Sequence, residues 1–150
     1  MPVRVMTEEE VESFLLEQRV VRVCAHVDDQ LYLIPFGYVW LEGNLYGGVI
    51  SQRLTAMVQH NPRVAFQIDN YAHATGPWAY RSITGQGDFV CLENAAEIER
   101  ITPVQRARFA DAPVWFQQEQ AALVDAARMR FWRLHPVEMT GRMHAPGDQT

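Results

Sequence analysis

The chain has 150 residues, of which 48% are hydrophobic and 21% are charged. This length and ordinary composition predict a single globular domain over residues 1–150. Its net charge of -5 argues against binding to nucleic acid or an anionic membrane, and since all 13 basic residues are arginine, a bound anion must be held by arginine, histidine, hydroxyl or backbone N–H groups.

The chain start and the cysteines indicate the compartment. No apolar signal core opens the chain, and no apolar run approaches the roughly 18 residues of a membrane span, so we expect a cytoplasmic protein. Cys24 and Cys91 lie in apolar runs without CxxC spacing, which favours buried free thiols over a disulfide or a metal pair. The five histidines lack the spacing of metal ligands, so no metal site is expected.

The first elements are a helix and a β-hairpin. Thr7–Glu10 forms a capping box, in which the threonine and glutamate side chains bond each other's backbone amides, and this predicts a short amphipathic helix. Arg19–Val27 and Leu31–Trp40 have the composition of paired strands. Pro35 cannot donate a ladder hydrogen bond, which predicts a bulge or a free edge.

The middle of the chain continues in the same style. Leu45–Val49 is expected to be a strand that follows the turn Glu42–Asn44. Ser51–His60 is expected to be a helix, because Asn61–Pro62 stops it, and Arg63–Asn70 to be the next strand.

The last part mixes strands and helices. We expect a loop over Tyr71–Pro77 and then a long strand over Ala79–Cys91. Helices are expected over Glu93–Ile101 and Val114–Ala127, with a second helix start at Thr102–Pro103 between them. A closing strand is expected over Met129–Leu134 and Val137–Thr140, followed by a tail over 143–150. Short strands, tight turns and few helices predict a mainly β (α+β) fold, a small antiparallel barrel with flanking helices.

The segment Gly47–Arg53 is the first candidate site. The glycine pair permits close approach to the backbone, and Ser51 can cap a helix whose first N–H groups, together with Gln52 and Arg53, face an anion such as a phosphate. Arg53 could add a charge-assisted hydrogen bond. The alternative interpretation is a turn, a serine N-cap and a solvated arginine.

Two further segments are candidates. Around Phe36, Gly37 and Tyr38 the interrupted strand could present its backbone to a heterocycle, or its aromatic side chains could simply pack in the core. Arg81, between Tyr80 and Ser82, needs a partner, which could be a ligand phosphate, Asp69, Asp88 or water. His73, in the loop before this strand, is a weak candidate for a proton donor.

Taken in order, these segments resemble the FMN-binding split-barrel family, which includes pyridoxamine 5'-phosphate oxidase and the small Nim-type nitroimidazole-resistance proteins. The resemblance covers roughly residues 5–142. It rests on the capped first helix and the segments Tyr32–Pro35, Glu42–Tyr46, Ser51–Arg53, Asn61–Phe66, Tyr80–Gly85 and Val137–Arg142.

The resemblance implies a six-stranded split barrel that forms a homodimer with FMN at the interface. It assigns Ser51, Gln52 and Arg53 to the phosphate, and places the strand Phe36–Tyr38 against the isoalloxazine. It places Tyr80, Arg81 and Ser82 beside the flavin. Trp115 and Trp132 are the candidates for contacts from the second subunit. Tyr80 and His73 remain weak catalytic candidates.

The resemblance implies an oxidoreductase that passes hydride or electrons from a reduced nicotinamide to a small acceptor. Two departures argue against specific members: Gly47–Gly48 stands where Nim-type proteins usually carry a histidine, and the substrate-binding pattern of true pyridoxamine 5'-phosphate oxidases is lacking. The alternatives are a deazaflavin-dependent reductase on the same fold, and a flavin- or haem-binding sensor or storage dimer without turnover.

Overall fold

The computed structural model describes residues 3–71 and 80–144. The strands are β1 (Val3–Val5), β2 (Val20–Val27), β3 (Gln30–Gly37), β4 (Val39–Leu41), β5 (Asn44–Val49), β6 (Arg63–Asp69), β7 (Arg81–Cys91) and β8 (Arg130–His144). The helices are α1 (Glu8–Glu17), α2 (Gln52–His60), α3 (Ala95–Arg108) and α4 (Val114–Asp125). Among the described residues, no helix combines the length and the apolar character needed to cross a membrane.

The strands form one antiparallel sheet in the order β3-β2-β6-β7-β8-β5-β4, and β1 pairs with the end of β8. The sheet curls, so that β3 and β5 approach each other without pairing: a Cβ added at Gly47 would lie 2.5 Å from the carbonyl oxygen of Gly37. We call this unpaired seam between β3 and β5 the split. The predicted antiparallel split barrel is confirmed.

The described residues form eight strands, where the resemblance implied six. The run Leu31–Trp40 divides at Tyr38 into β3 and β4. The Tyr38 N–H still donates to the carbonyl of Arg19, the residue opposite it in the β2 register, and from Val39 onwards the chain pairs with β5 instead. The second addition is β1, three residues that carry no pattern of their own and are recruited by β8. Pro35 lies in β3, at one end of the sheet, where its missing N–H leaves no ladder partner unsatisfied.

Alternation along β2 and β6 sends every second side chain into the barrel, where α1 and α2 complete the core. The Thr7 capping box is present and starts α1, which buries Phe14 and Leu15. The buried Tyr38 hydroxyl donates to the carbonyl of Leu15 over 2.8 Å, and this bond ties α1 to the segment between β3 and β4.

Helix α3 covers the other side of β4 and β5, where Ile101 packs against Val39 and Tyr46. It runs through Pro103, so the predicted second helix start is wrong. Pro103 removes only one donor from the helix, and the Thr102 hydroxyl donates to the carbonyl of Ile98 over 2.7 Å within the same turn.

Two more expectations need comment. The closing strand is one element, β8, which includes Pro136 and reaches His144, two residues into the predicted tail. A register shift in β7 between Gln86 and Gly87, opposite this region, accommodates the proline. Cys24 and Cys91 are both free, as expected, but they are half-buried rather than buried.

Candidate functional site

The candidate site lies where β5 ends at the split and α2 begins. Ser51 is the N-cap of α2, and its Oγ accepts a hydrogen bond from the Leu54 N–H over 3.1 Å. Leu54 and Val58 are buried, so they fix the helix in the barrel. The N–H groups of Gln52 and Arg53 belong to the first turn and have no partner within the helix. They are available to an anion placed at this end of α2.

The two glycines before the cap are required by their neighbours. A Cβ at Gly47 would lie 2.5 Å from the Trp132 ring as well as from the Gly37 carbonyl oxygen. A Cβ at Gly48, on the opposite side of the strand, would lie 2.6 Å from the Met129 sulfur. The glycine pair therefore lets β5 pass between an indole and a thioether. A histidine at Gly48 would have no room without movement of Met129, and one at Gly47 would meet the Gly37 backbone and the Trp132 ring.

Arg53 extends from the first turn of α2 across the split to β3. Its guanidinium carbon lies 4.4 Å from the centroid of the Tyr32 ring. Within the described residues its side chain makes no hydrogen bond and no ion pair. Stacking of this kind holds the cation by the ring's electron-rich face and leaves the N–H groups in the guanidinium plane free.

In the segment Phe36–Tyr38, which was predicted to contact the isoalloxazine, the backbone is accessible but the aromatic side chains are not. Phe36 and Tyr38 are buried, and the Phe36 ring packs 5.4 Å from that of Trp132. The core interpretation of these two side chains is thus correct. Gly37 separates them, and its carbonyl faces β5 across the split. Contact of a ligand with this segment would come through the main chain of Gly37.

Trp132 is fully buried, stacked 4.8 Å from Phe89, and its indole N–H donates to the Gly48 carbonyl over 3.2 Å. It supports the site from beneath within its own protomer. The expectation that it reaches the cofactor of a second subunit has no support in this arrangement. Trp115, on α4, is 65% exposed and is the accessible tryptophan of the two candidates.

Tyr80, Arg81 and Ser82 lie at the start of β7. Arg81 pairs with Glu17 over 3.0 Å and stacks on Phe14, so its partner is neither Asp69 nor Asp88 as considered from the sequence. The Tyr80 ring lies 4.6 Å from the His144 ring. Among the described residues, no hydrogen bond joins this group to Ser51, Gln52 or Arg53. His73 lies outside the described residues.

Sequence reasoning missed Tyr32 as a site residue. The run around it reads as an ordinary strand, and nothing local says that its alternate side chains face the split. The available signal was the predicted pairing of this strand with Arg19–Val27 at the edge of the sheet. That pairing leaves one edge of β3 without a neighbouring strand, so that α2, which follows β5, can contact it.

A groove of about 550 Å³ crosses the outer face of the sheet, away from the helices. Its lining includes Cys24, Leu31, Ala65 and Met139. Leu31 is 66% exposed, and Leu33, on the same face of β3, is 65% exposed. Uncovered apolar side chains of this size on one sheet face are typical of a protein–protein contact.

The pyridoxamine 5'-phosphate oxidase family model matches residues 7–143. An uncharacterized protein of Rhizobium meliloti is 26% identical over 151 residues, covering 97% of this chain and 98% of the relative. A FAD-binding protein from Mesorhizobium loti has a TM-score of 0.78 at 24% identity, covering 97% of this chain and 100% of that one. The FAD binding protein from Mycobacterium smegmatis has a TM-score of 0.64 at 17% identity, covering 94% and 100%.

Proposed function

Because the chain belongs to the pyridoxamine 5'-phosphate oxidase family, we propose that it is a homodimeric, cytoplasmic FMN-binding protein. Its activity would be that of an oxidoreductase, with a reduced nicotinamide as donor and a small molecule as acceptor. The observation that carries the proposal is the start of α2 at the split, where Ser51 caps the helix and Arg53, which has no ion pair among the described residues, stacks on Tyr32. Two proteins of the same fold are named as FAD-binding, which supports a flavin as the ligand.

The residues present fit a phosphate. Two N–H groups of the first turn, the Ser51 hydroxyl and the Arg53 guanidinium can each donate hydrogen bonds to it. A phosphate is also stabilised by the positive end of the helix dipole. Since Ser51 already accepts from Leu54, its hydroxyl proton can be donated to the phosphate at no loss to the cap.

A flat ring next to the phosphate would lie over the segment Phe36–Tyr38, because the main chains of Gly37 and Gly47 approach too closely for a ring to enter between them. Backbone N–H and C=O groups of an interrupted strand can bond the polar edge of an isoalloxazine. FMN would supply the redox chemistry, and the chain would bind it, orient it and exclude water. Tyr80 and water are the candidates for proton transfer, together with His73.

The homodimer is proposed from the outer sheet face. Leu31, Leu33 and Val137 are more than half exposed, and Leu31 borders the groove on the outer face of the sheet. A second copy covering this face would remove that apolar surface from water and bring a second chain beside β3. Trp115, exposed on α4, remains the candidate for a contact from the second copy.

The visible absorption spectrum of the purified protein, before and after addition of FMN, tests the cofactor. We expect two flavin bands shifted from those of free FMN, and saturable quenching of flavin fluorescence during titration. A protein that ignores FMN would overturn the proposal and favour a deazaflavin or a structural dimer. A single intense Soret-type band would show that the bound cofactor is haem and not FMN.

Turnover needs a separate measurement. Oxidation of NADH or NADPH by the holoprotein, with a range of small acceptors, distinguishes an oxidoreductase from a storage or sensor dimer. Oxidation faster than that caused by free FMN at the same concentration supports the enzyme. A rate of nicotinamide oxidation equal to that of free FMN would mean that the protein binds flavin but does not catalyse the reaction.

A further inference from the structure

Arg53 differs from the other arginines in how it is held. Eight arginines form ion pairs with carboxylates, and Arg108 donates to the carbonyls of Glu17 and Gln18. Within the described residues the side chains of Arg53, Arg106, Arg128 and Arg142 have no such acceptor. Of these four, only Arg53 stacks on an aromatic ring within the described part of the chain.

This difference matters because the two kinds of contact use different parts of the guanidinium. An ion pair occupies its N–H groups and neutralises its charge, so a paired arginine must give up its partner before it can bind an anion. A ring beneath the guanidinium limits its motion while its charge and its N–H donors remain available. Arg53 is therefore positioned and still able to bind.

The ring comes from a rigid element. Tyr32 is half-buried, and its neighbours in β3 are fixed by a ladder with β2 in which Tyr32 lies opposite Ala25. Arg53 lies on α2, whose buried Leu54 and Val58 fix the helix. The 4.4 Å contact thus spans the split between two elements that the sheet does not join directly.

We propose that Tyr32 is a positioning residue for anion binding: its ring holds the Arg53 guanidinium beside the first turn of α2 and so selects phosphorylated ligands over their dephosphorylated forms. This rests on the proposed function, since FMN and riboflavin are the pair that it distinguishes. Tyr32 acts through Arg53, and its hydroxyl takes no part.

The test is a comparison of FMN and riboflavin dissociation constants, by fluorescence quenching, for the wild type, Tyr32→Leu, Tyr32→Phe, Arg53→Ala and the double variant Tyr32→Leu/Arg53→Ala. We expect Tyr32→Leu to weaken FMN binding about two- to fivefold, as for loss of an exposed cation–π contact, and to leave riboflavin binding unchanged. Tyr32→Phe keeps the ring and is expected to stay within about twofold of the wild type. In the Arg53→Ala background, Tyr32→Leu should have no further effect on FMN.

The outcomes separate the inference from the proposed function. A wild type that binds neither flavin, or binds both equally, contradicts a phosphate site at α2. If the wild type and Tyr32→Leu prefer FMN over riboflavin by the same ratio of dissociation constants, the role of Tyr32 is overturned while the phosphate site stands. Equal losses for Tyr32→Phe and Tyr32→Leu would assign the effect to the hydroxyl. If Tyr32→Leu loses affinity for FMN and riboflavin equally, the substitution has disturbed β3 in general. Thermal unfolding of each variant would reveal such a disturbance.

Discussion

The indole N–H of Trp132 donates to the carbonyl of Gly48 over 3.2 Å, while the same ring lies against the Cα of Gly47. The two residues belong to paired strands, with Trp132 opposite Gly47 in the β5–β8 ladder. One buried side chain thereby satisfies its polar atom and fills the space that a missing Cβ leaves. The end of β5, and with it the start of α2, is positioned by this contact.

The first prediction concerns these two glycines. Gly47→Ala should destabilise the protein by about 2–3 kcal/mol, because the new methyl group meets a backbone carbonyl and a fixed indole, neither of which can move freely. Gly48→Ala should cost less than about 1 kcal/mol, because its methyl group meets the flexible Met129 side chain. Chemical denaturation of both variants measures the difference.

The neighbouring position serves as the control, since both changes add one methyl group to the same strand. Equal losses at the two positions would contradict the role given to the Trp132 ring. They would also indicate that β5 itself resists any side chain near the split.

The second prediction concerns the proposed phosphate. Arg53→Ala should weaken FMN binding by about 1.5–3 kcal/mol, as expected for loss of charged hydrogen bonds. Arg106→Ala, which removes an exposed arginine from α3, is the matched control and should leave binding unchanged. An FMN affinity that is the same in both variants would make Arg53 a surface residue. Riboflavin binding should be unaffected by either change.

Much of the fold follows from local patterns in the sequence. The capping box of α1, the N-cap Ser51 and the turn at Glu42–Gly43 all depend on contacts within a few residues. In that turn Glu42 and Gly43 both adopt positive φ, 51° and 80°, and the glycine allows this at its position without strain. Such signals predict where elements begin and end.

What the sequence leaves open depends on contacts between distant residues. Arg81 is 64 positions from its partner Glu17. The candidates Asp69 and Asp88 lie nearer to it in the sequence, but neither is its partner. Tyr32 and Arg53 meet only because the sheet curls until β3 approaches the helix after β5. Pro103 is tolerated because α3 is anchored on both sides of it, by Ile98 and Val104. None of these relationships has a local pattern.

The third prediction concerns the anchor of α3. Arg133 donates to both carboxylate oxygens of Glu97, over 2.7 and 3.0 Å, and the Glu97 side chain is only 18% exposed. Glu97→Gln should destabilise the protein by about 1–2 kcal/mol, since it leaves a half-buried guanidinium with a weaker acceptor. Asp88→Asn alters a more exposed pair with Arg63 and should cost at most about 0.5 kcal/mol. Urea denaturation of both variants measures the contrast, and similar losses would show that burial of the Glu97 pair adds nothing.

The last prediction is a pH dependence at the start of α1. Arg4 donates to both oxygens of the Glu10 carboxylate, over 2.8 and 2.6 Å, and the Thr7 N–H donates to one of them. The Arg4 hydrogen bonds, with the Thr7 N–H, lower the pKa of Glu10 to about 2 from an ordinary value near 4.5. Since the folded pKa is the lower one, the folded state binds fewer protons than the unfolded state over this interval.

The contribution of Glu10 is therefore fully present above its unfolded pKa and is lost as the pH falls from about 4.5 towards about 2. Thermal unfolding of the wild type and Glu10→Gln should differ most near neutral pH, and the difference should shrink steadily below about pH 5. Glu9→Gln removes a neighbouring exposed carboxylate that has no side-chain partner among the described residues, so its difference from the wild type should change less over this interval. A Glu10→Gln difference that is constant across the range would mean that the Arg4 pair does not persist in solution and that β1 is held to α1 by the β8 ladder alone.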